Sequence, residues 1–447
     1  MYAQIKEDIL SGNLLPESKL ISARKLAVEQ GVSRNTVESA YQQLYTEGYI
    51  DSKPRSGYYV IPIEKPLASR FARDLRPTTG IKAVGSQSCR FDFHPARLAR
   101  QSFPLKIWNR LWRECNWDND QQFLFYGDPQ GEPSLRREIQ KYLAKSRGVS
   151  CSPSQIVICS GSQHSLSILC QIIKGQFSAC AVEDPGYFVA RSVFQNHCLE
   201  VVPVPVGRDG LIIPYLASTR CRAVYVTPSH QFPLGWVMPI SERLKLLAWA
   251  EKVNGLIIED DYDSEFRYQG RPIPSLQGLN PQGNTVYLGT FSKTLSPSLR
   301  VSYMVLPESL LEIFQQLFRN HSSSVSLLEQ KILQKFMEQG FWESHLRRLR
   351  TLYRKKHEVL TSAVRQFLGD KAVILSQDAG LHIVIEVSGS ASAKELSQQA
   401  KGKGVCVYPV TDYSMAKDSY KNAVILGFGG MSPAEISRGI ELLSQAW

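Results

Sequence analysis

Residues 289–300 read GTFSKTLSPSLR. A lysine set among small hydroxyl residues, with an arginine a short way downstream, can hold a phosphate beside a reactive amine. An isolated Ser-Lys pair is more often a surface lysine, so the meaning of Lys293 depends on its surroundings. Short apolar runs flank it at 156–159, 179–183, 223–227, 255–260, 285–290 and 301–306, separated by stretches of helical periodicity. That alternation predicts an α/β fold with a mainly parallel sheet covered on both faces. Ligands in such folds sit at the carboxyl ends of the strands, so the residues following each run are the ones to compare.

After the first run comes SGSQHSL, a glycine turn opening a helix, whose free N–H groups and dipole suit a phosphate at Gly161, Ser162 and Gln163. After the second, EDPGY places Tyr187 where a ring can stack on a flat cofactor, although an aromatic there can equally be core. The fourth ends in IIEDDYD, and a carboxylate at the end of a buried strand is costly unless a cation answers it. Pyridoxal 5′-phosphate asks for this set: a lysine for the Schiff base, an acid to keep the pyridine nitrogen protonated, and phosphate ligands. Lys293 is the Schiff-base candidate and Asp260 the pyridinium partner. Tyr262 is a donor to the phenolic oxygen, and Thr290, Ser292 and Arg300 form the phosphate shell.

The order of glycine turn, aromatic, Asp-x-Tyr and Ser-Lys with a downstream arginine resembles the fold-type I aminotransferases over residues 89–447. The resemblance implies a mainly parallel sheet plus a smaller α+β subdomain. YGDPQGEPSLR is similar to the segment in which a tyrosine, here Tyr126, reaches the phosphate of the neighbouring subunit, which implies a homodimer. Two departures stand out. Phe232 precedes Pro233 where these proteins carry an asparagine on the phenolic oxygen, leaving that contact to Tyr262 with His230 or Gln231. Late in the chain, KNAVILGFGG puts Val424, Ile425 and Leu426 where a substrate-carboxylate arginine is usual; Arg191 and Lys421 are the candidates to replace it.

Residues 1–62 read differently. Apolar spacing at Ile5, Ile9 and Leu10 marks a helix stopped by Gly12-Asn13. Ser22 caps a second helix with Leu26 and Ala27 inward, and after Gly31, Ser33 caps a third with Val37, Tyr41 and Leu44 inward. The alternating stretch 49–61 then forms a hairpin wing. In such an arrangement Ser33, Arg34, Asn35 and Thr36 face bases and phosphates, Arg24 anchors a phosphate, and Arg55 and Gly57 lie at the wing tip. LISARKLAVEQGVSRNTVESAYQQLYTEGYIDSKPRSGYYV resembles the winged helix-turn-helix of GntR-type bacterial regulators, with Ile21 where proline is usual.

Between the two, 63–88 loses periodicity and fills with proline, glycine and basic residues, the composition of a linker. The net charge of +11 favours a polyanionic partner such as double-stranded DNA. No run spans a bilayer and no signal segment opens the chain, so a cytoplasmic location is expected. Nine cysteines without a CxxC or zinc spacing read as reduced, mostly buried thiols, with no metal site. The basic run 347–356 reads as a solvated or dimer-facing helix surface. Head, linker and body together resemble the MocR/GabR family of pyridoxal-phosphate-dependent transcription regulators. The reading is a regulator that senses the cofactor or an amine or amino-acid effector; the alternative is an aminotransferase with an appended DNA-binding module.

Overall fold

A computed structural model of the chain describes residues 1–62, 89–115, 121–268, 273–416 and 420–447. It divides into two compact units, Met1–Gln87 and Ser88–Trp447. The expected linker at 63–88 lies outside the described residues.

In the first unit, helix Tyr2–Ser11 ends at Gly12, whose φ of 87° supplies the left-handed cap. Helix Ala23–Glu29 starts beneath Ser22, which accepts from the Lys25 amide, and helix Arg34–Thr46 beneath Ser33, which accepts from the Thr36 amide at 3.2 Å. Val37, Tyr41 and Leu44 pack with Ile9, Ala27, Ile50 and Val60 into one small core. Strands β1 (Ile50–Lys53) and β2 (Gly57–Val60) pair antiparallel, and Arg55 at their tip takes a φ of 60°. Leu10, part of the apolar spacing that marked this helix, is 41% exposed. It sits about 100° around the helix from Ile9, off the stripe that Ile5 and Ile9 share.

The second unit is built on an eight-stranded sheet of β3 (Ile156–Cys159), β4 (Ala179–Asp184), β5 (Glu200–Gly207), β6 (Gly210–Leu211), β7 (Ala223–Val226), β8 (Leu256–Asp261), β9 (Thr285–Thr290) and β10 (Ser302–Val305). Their order is β3-β10-β9-β8-β7-β4-β5-β6. The strands from β9 across to β5 run parallel, while β10 and β6 run against their neighbours. β3, β4, β7, β8 and β9 are buried almost throughout, as strands covered on both faces must be. A smaller antiparallel sheet has β11 (Ala372–Ser376), β12 (His382–Val387), β13 (Tyr408–Pro409) and β14 (Ala423–Gly427) in the order β11-β12-β14-β13. Helices Phe341–Ala363 and Pro433–Ser444 share its core.

Two expectations are corrected. Seven cysteines are free, but Cys89 is joined to Cys406. The cause is a short parallel pairing of Phe91–Asp92 with Val405–Cys406, which aligns positions 317 residues apart; such a partnership leaves no local spacing to read. The basic run 347–356 is only partly a solvated face. Lys356 is buried with Nζ donating to the Gly429 carbonyl at 2.7 Å, and Arg348 and Arg350 donate to the carbonyls of Ser102 and Glu265 at 2.9 and 2.8 Å.

Candidate functional site

The four acids of IIEDDYD have four different fates, decided by strand alternation. Glu259 and Asp261 point to one face of β8. Glu259 accepts from the amides of Leu276 and Gln277 with Arg243 at 3.8 Å, and Asp261 takes Arg147 Nε and the Tyr287 hydroxyl, each at 2.6 Å. Asp260, between them, faces the other way and accepts from the Tyr225 hydroxyl at 2.5 Å. Among the described residues no cation lies within ion-pair distance of it, and burial pushes its carboxyl up to about 7. Asp263, beyond the strand, takes His230 Nδ1 at 3.0 Å.

The neighbouring strand ends bring the remaining candidates to the same place. Gly161 caps helix Ser162–Ile173 at φ 89°. A Cβ there would come within 2.3 Å of Arg300 Nη2, so the guanidinium lies directly against the helix N-terminus. Arg300 itself takes a φ of 52° and donates to the Ser160 carbonyl at 3.1 Å. Ser162 follows Gly161, and Gln163 is exposed beside it. Thr290 Oγ1 is 3.0 Å from Ser292 Oγ and accepts the Ser292 amide at 3.1 Å. The Tyr187 hydroxyl is held above its usual range by burial and the Asp260 charge, with Ser162 and Arg300 opposing, which ties these four residues into one electrostatic cluster.

Lys293 has its amine buried, and that burial pulls it below the usual lysine range against the opposing pull of Asp263. Its Nζ donates to the Pro95 carbonyl at 3.0 Å. The Tyr262 hydroxyl donates to the His230 carbonyl at 2.9 Å, and its ring lies 6.2 Å from that of Phe232. Gln231 is used up by the loop: Nε2 donates to the carbonyls of Pro185 and Phe232, and Oε1 accepts the Leu234 amide. It is a brace, and the ring of His230 is committed to Asp263 on its Nδ1 side while Nε2 is buried with no hydrogen-bond partner among the described residues.

Tyr126 is not brought to the cluster. It is 91% exposed, next to Leu124 and Phe125 at 80% and 72%. Val424, Ile425 and Leu426 are fully buried in β14. Arg191 is 4.0 Å from Asp184, whose carboxylate also accepts the amides of Met415 and Ala416. The segment carrying Pro95 is a contributor that periodicity could not reveal. The signal for it is the glycine run at 427–430, since glycine at a strand end often marks close approach by another backbone.

In the first unit Arg24, Ser33, Arg34, Asn35, Thr36, Arg55 and Gly57 are all exposed. Ser33 and Thr36 share a hydroxyl hydrogen bond of 2.8 Å, Arg34 pairs with Glu38 at 2.8 Å, and Lys53 sits 4.4 Å over the Tyr59 ring.

A winged helix-turn-helix and an α/β body with this strand-end cluster define a class: a DNA-binding regulator built on an aminotransferase scaffold. Comparison with known proteins makes it specific. Residues 1–60 match the bacterial regulatory proteins of the gntR family and residues 104–443 the aminotransferase class I and II family. The chain is 40% identical to the HTH-type transcriptional regulator YdeL of Bacillus subtilis, covering all of this chain and 96% of that one. It is 34% identical to the probable rhizopine catabolism regulatory protein MocR of Rhizobium meliloti, covering all of this chain and 93% of that one. The body matches a kynurenine aminotransferase structure from Pyrococcus horikoshii with a TM-score of 0.73 at 24% identity, over 81% of this chain and 91% of that one. The chain belongs to the aminotransferase class I and II family and, over its whole length, to the MocR-type HTH transcriptional regulators.

Pyridoxal 5′-phosphate is the cofactor of this scaffold, and two features of the chain fit it. Asp260 is a buried acid awaiting a cation, and the glycine-floored cradle beneath Arg300 is closed to any side chain at 161. Among the described residues no helix is long and apolar enough to cross a membrane.

Proposed function

We propose that the chain is a DNA-binding transcriptional regulator whose body, as a cytoplasmic homodimer, binds pyridoxal phosphate at Lys293 and reads an amine-bearing effector there. The observation that carries this reading is Asp260, buried beside Tyr225 with no cation among the described residues within ion-pair distance to answer it. When bound, the cofactor supplies an electrophilic aldehyde carbon on an electron-withdrawing ring. The chain does the rest. Burial keeps the Lys293 amine nearer its neutral, nucleophilic form. Asp260 holds a proton on the ring nitrogen and Tyr187 covers the ring. The amides of Gly161, Ser162 and Gln163, with Thr290, Ser292 and Arg300, hold the phosphate, and Tyr262 orients the phenolic edge. Tyr126, exposed on its own subunit, contributes to its neighbour's phosphate site.

In the head, Arg34, Asn35 and Thr36 enter the major groove under the Ser33 cap, while Arg24, Arg55 and Gly57 meet the phosphate backbone. Regulation requires that the effector bind two arrangements of the dimer with unequal affinity. Efficient transamination is disfavoured by the apolar burial of Val424, Ile425 and Leu426, which leaves no arginine at that position to clamp a substrate carboxylate. The test is twofold: borohydride reduction of the cofactor-loaded protein followed by peptide mapping, which should place the adduct on Lys293, and promoter footprinting with and without cofactor and added amines. An adduct elsewhere, or steady turnover without specific DNA binding, overturns the reading.

A further inference from the structure

The absence of an arginine in β14 raises the question of what meets the rest of the ligand once its amine is at Lys293. Covering the end of β14 is the segment from Phe93 to Leu98. The Gly427 amide donates to the Phe93 carbonyl at 2.7 Å. A Cβ on Gly427 would stand 2.5 Å from the His94 carbonyl oxygen and the Pro95 Cα. On Gly429 it would stand 2.2 Å from the Arg97 carbonyl oxygen, and on Gly430 2.8 Å from the Arg97 Cβ. None of these three glycines has a positive φ, so glycine is required there for space and not for backbone conformation. Lys356 fixes the turn from below through the Gly429 carbonyl.

The same segment gives its Pro95 carbonyl to Lys293. Arg97 therefore leaves the chain two residues beyond the atom that touches the reactive amine, in the space where the usual arginine strand ends. Both Arg97 and Lys293 bear on the ring of His94. The guanidinium is oriented: Nη2 pairs with Asp92 at 2.8 Å, and the other Asp92 oxygen accepts the Tyr408 hydroxyl at 2.8 Å. Asp92 is 12% exposed and Arg97 62%, so the guanidinium is held at Nη2 by a nearly buried acid while the Arg97 side chain as a whole stays open. A planar guanidinium anchored on one side is suited to a carboxylate on the other.

We propose that Arg97 is the carboxylate anchor of the effector site, so that the ligand class is amino acids and not simple amines. This rests on the reading of Lys293 as the cofactor-bearing amine. Asp92 is a positioning residue that aims the guanidinium.

The experiment follows the absorbance of the cofactor on the full-length, loaded protein during titration with L-alanine against ethylamine, and with L-phenylalanine against 2-phenylethylamine. In the unmodified protein each amino acid should half-saturate at a concentration at least about tenfold below its matched amine. Arg97→Met should erase that preference while leaving both the starting cofactor absorbance and the amine titrations unchanged. Arg97→Lys should keep part of it, and Asp92→Asn should weaken it. The assignment is overturned if Arg97→Met retains the preference, or if the unmodified protein shows none, with the cofactor absorbance intact. Loss of that absorbance in the unmodified protein would instead bring down the cofactor reading, and this assignment with it.

Discussion

The Tyr225 hydroxyl donates to Asp260 across 2.5 Å, and among the described residues the acid has no other hydrogen-bond partner. A fully buried carboxyl with one neutral donor is poorly compensated in its charged form, which is why it titrates near 7 and not at its ordinary 3.8.

A sign follows for stability. Between the ordinary carboxyl range and pH 7 the folded apo-protein holds a proton at Asp260 that the unfolded chain has released, so this group's contribution to stability is fully present below the ordinary value and is lost as pH rises through about 7. Glu183 and Glu265, also pushed to about 7 by burial, act in the same direction. Burial lowers His94, His164, His345, His357 and His382, which acts in the opposite direction, so Asp260 is isolated by difference. In urea unfolding of the apo-protein, the stability of the unmodified protein relative to Asp260→Asn should shrink between roughly pH 5 and pH 8, and a difference that does not change with pH would refute the assignment.

Asp260→Asn should also weaken cofactor retention by at least about tenfold, because the ring nitrogen loses a charge-assisted partner. Lys293→Ala should eliminate the absorbance of the covalently held cofactor while DNA affinity remains measurable. Equilibrium dialysis and gel shift on the same preparations check both.

Gly161→Ala combines an unfavourable left-handed backbone with a clash on the Arg300 guanidinium. Cofactor affinity should fall by about tenfold or more, and by a similar factor in Arg300→Ala. The double variant should lose little beyond either single one, since both damage the same cradle. Additive losses would mean that the two positions act separately.

In the head, Ser33→Ala removes the cap of helix Arg34–Thr46 and should cost about 1 kcal/mol of stability. Arg34→Ala breaks only an exposed pair with Glu38, so its effect on stability should be small. It should nevertheless weaken operator binding and lower the salt dependence by about one counterion. Thermal melts and salt-series gel shifts distinguish the two variants.

If Tyr126 completes the neighbouring subunit's site, Tyr126→Phe and Lys293→Ala chains should complement each other. Each variant alone should bind cofactor weakly or not covalently. Mixed dimers should regain tight binding at the sites that combine the Lys293 of one chain with the Tyr126 of the other, as titration of a refolded mixture would show.

The parts of the fold and site that could be read from the sequence were those written in local periodicity. The head helices and six strands of the large sheet fall where apolar spacing puts them, and the strand ends deliver Gly161, Tyr187, Asp260, Thr290 and Lys293 to one place. β5 escaped because Pro203 and Pro205 make it read as a loop. They are tolerated because proline lacks only the donor: β6 pairs no earlier than Val206, and the Pro205 carbonyl still accepts the Ile212 amide at 3.0 Å. The Cys89–Cys406 partnership and the Pro95 contact to Lys293 bring together residues 317 and 198 positions apart, which no local window contains. Strand alternation could have assigned Glu259, Asp260 and Asp261 to opposite faces. The identities of Tyr225 and Arg147 as their partners required the packed structure.

The contact between the glycines at 427–430 and the segment from Phe93 to Leu98 also bears on how a sensor of this kind can diversify. Main chain laid on main chain gives mutation almost nothing to vary, since a replacement at Gly427 or Gly429 collides with the backbone of the opposing segment and one at Gly430 with the base of the Arg97 side chain. Inherited change is thereby channelled into the few side chains that rise from this frame, Arg97 foremost. A descendant could trade one chemical signal for another there while its scaffold stayed the same.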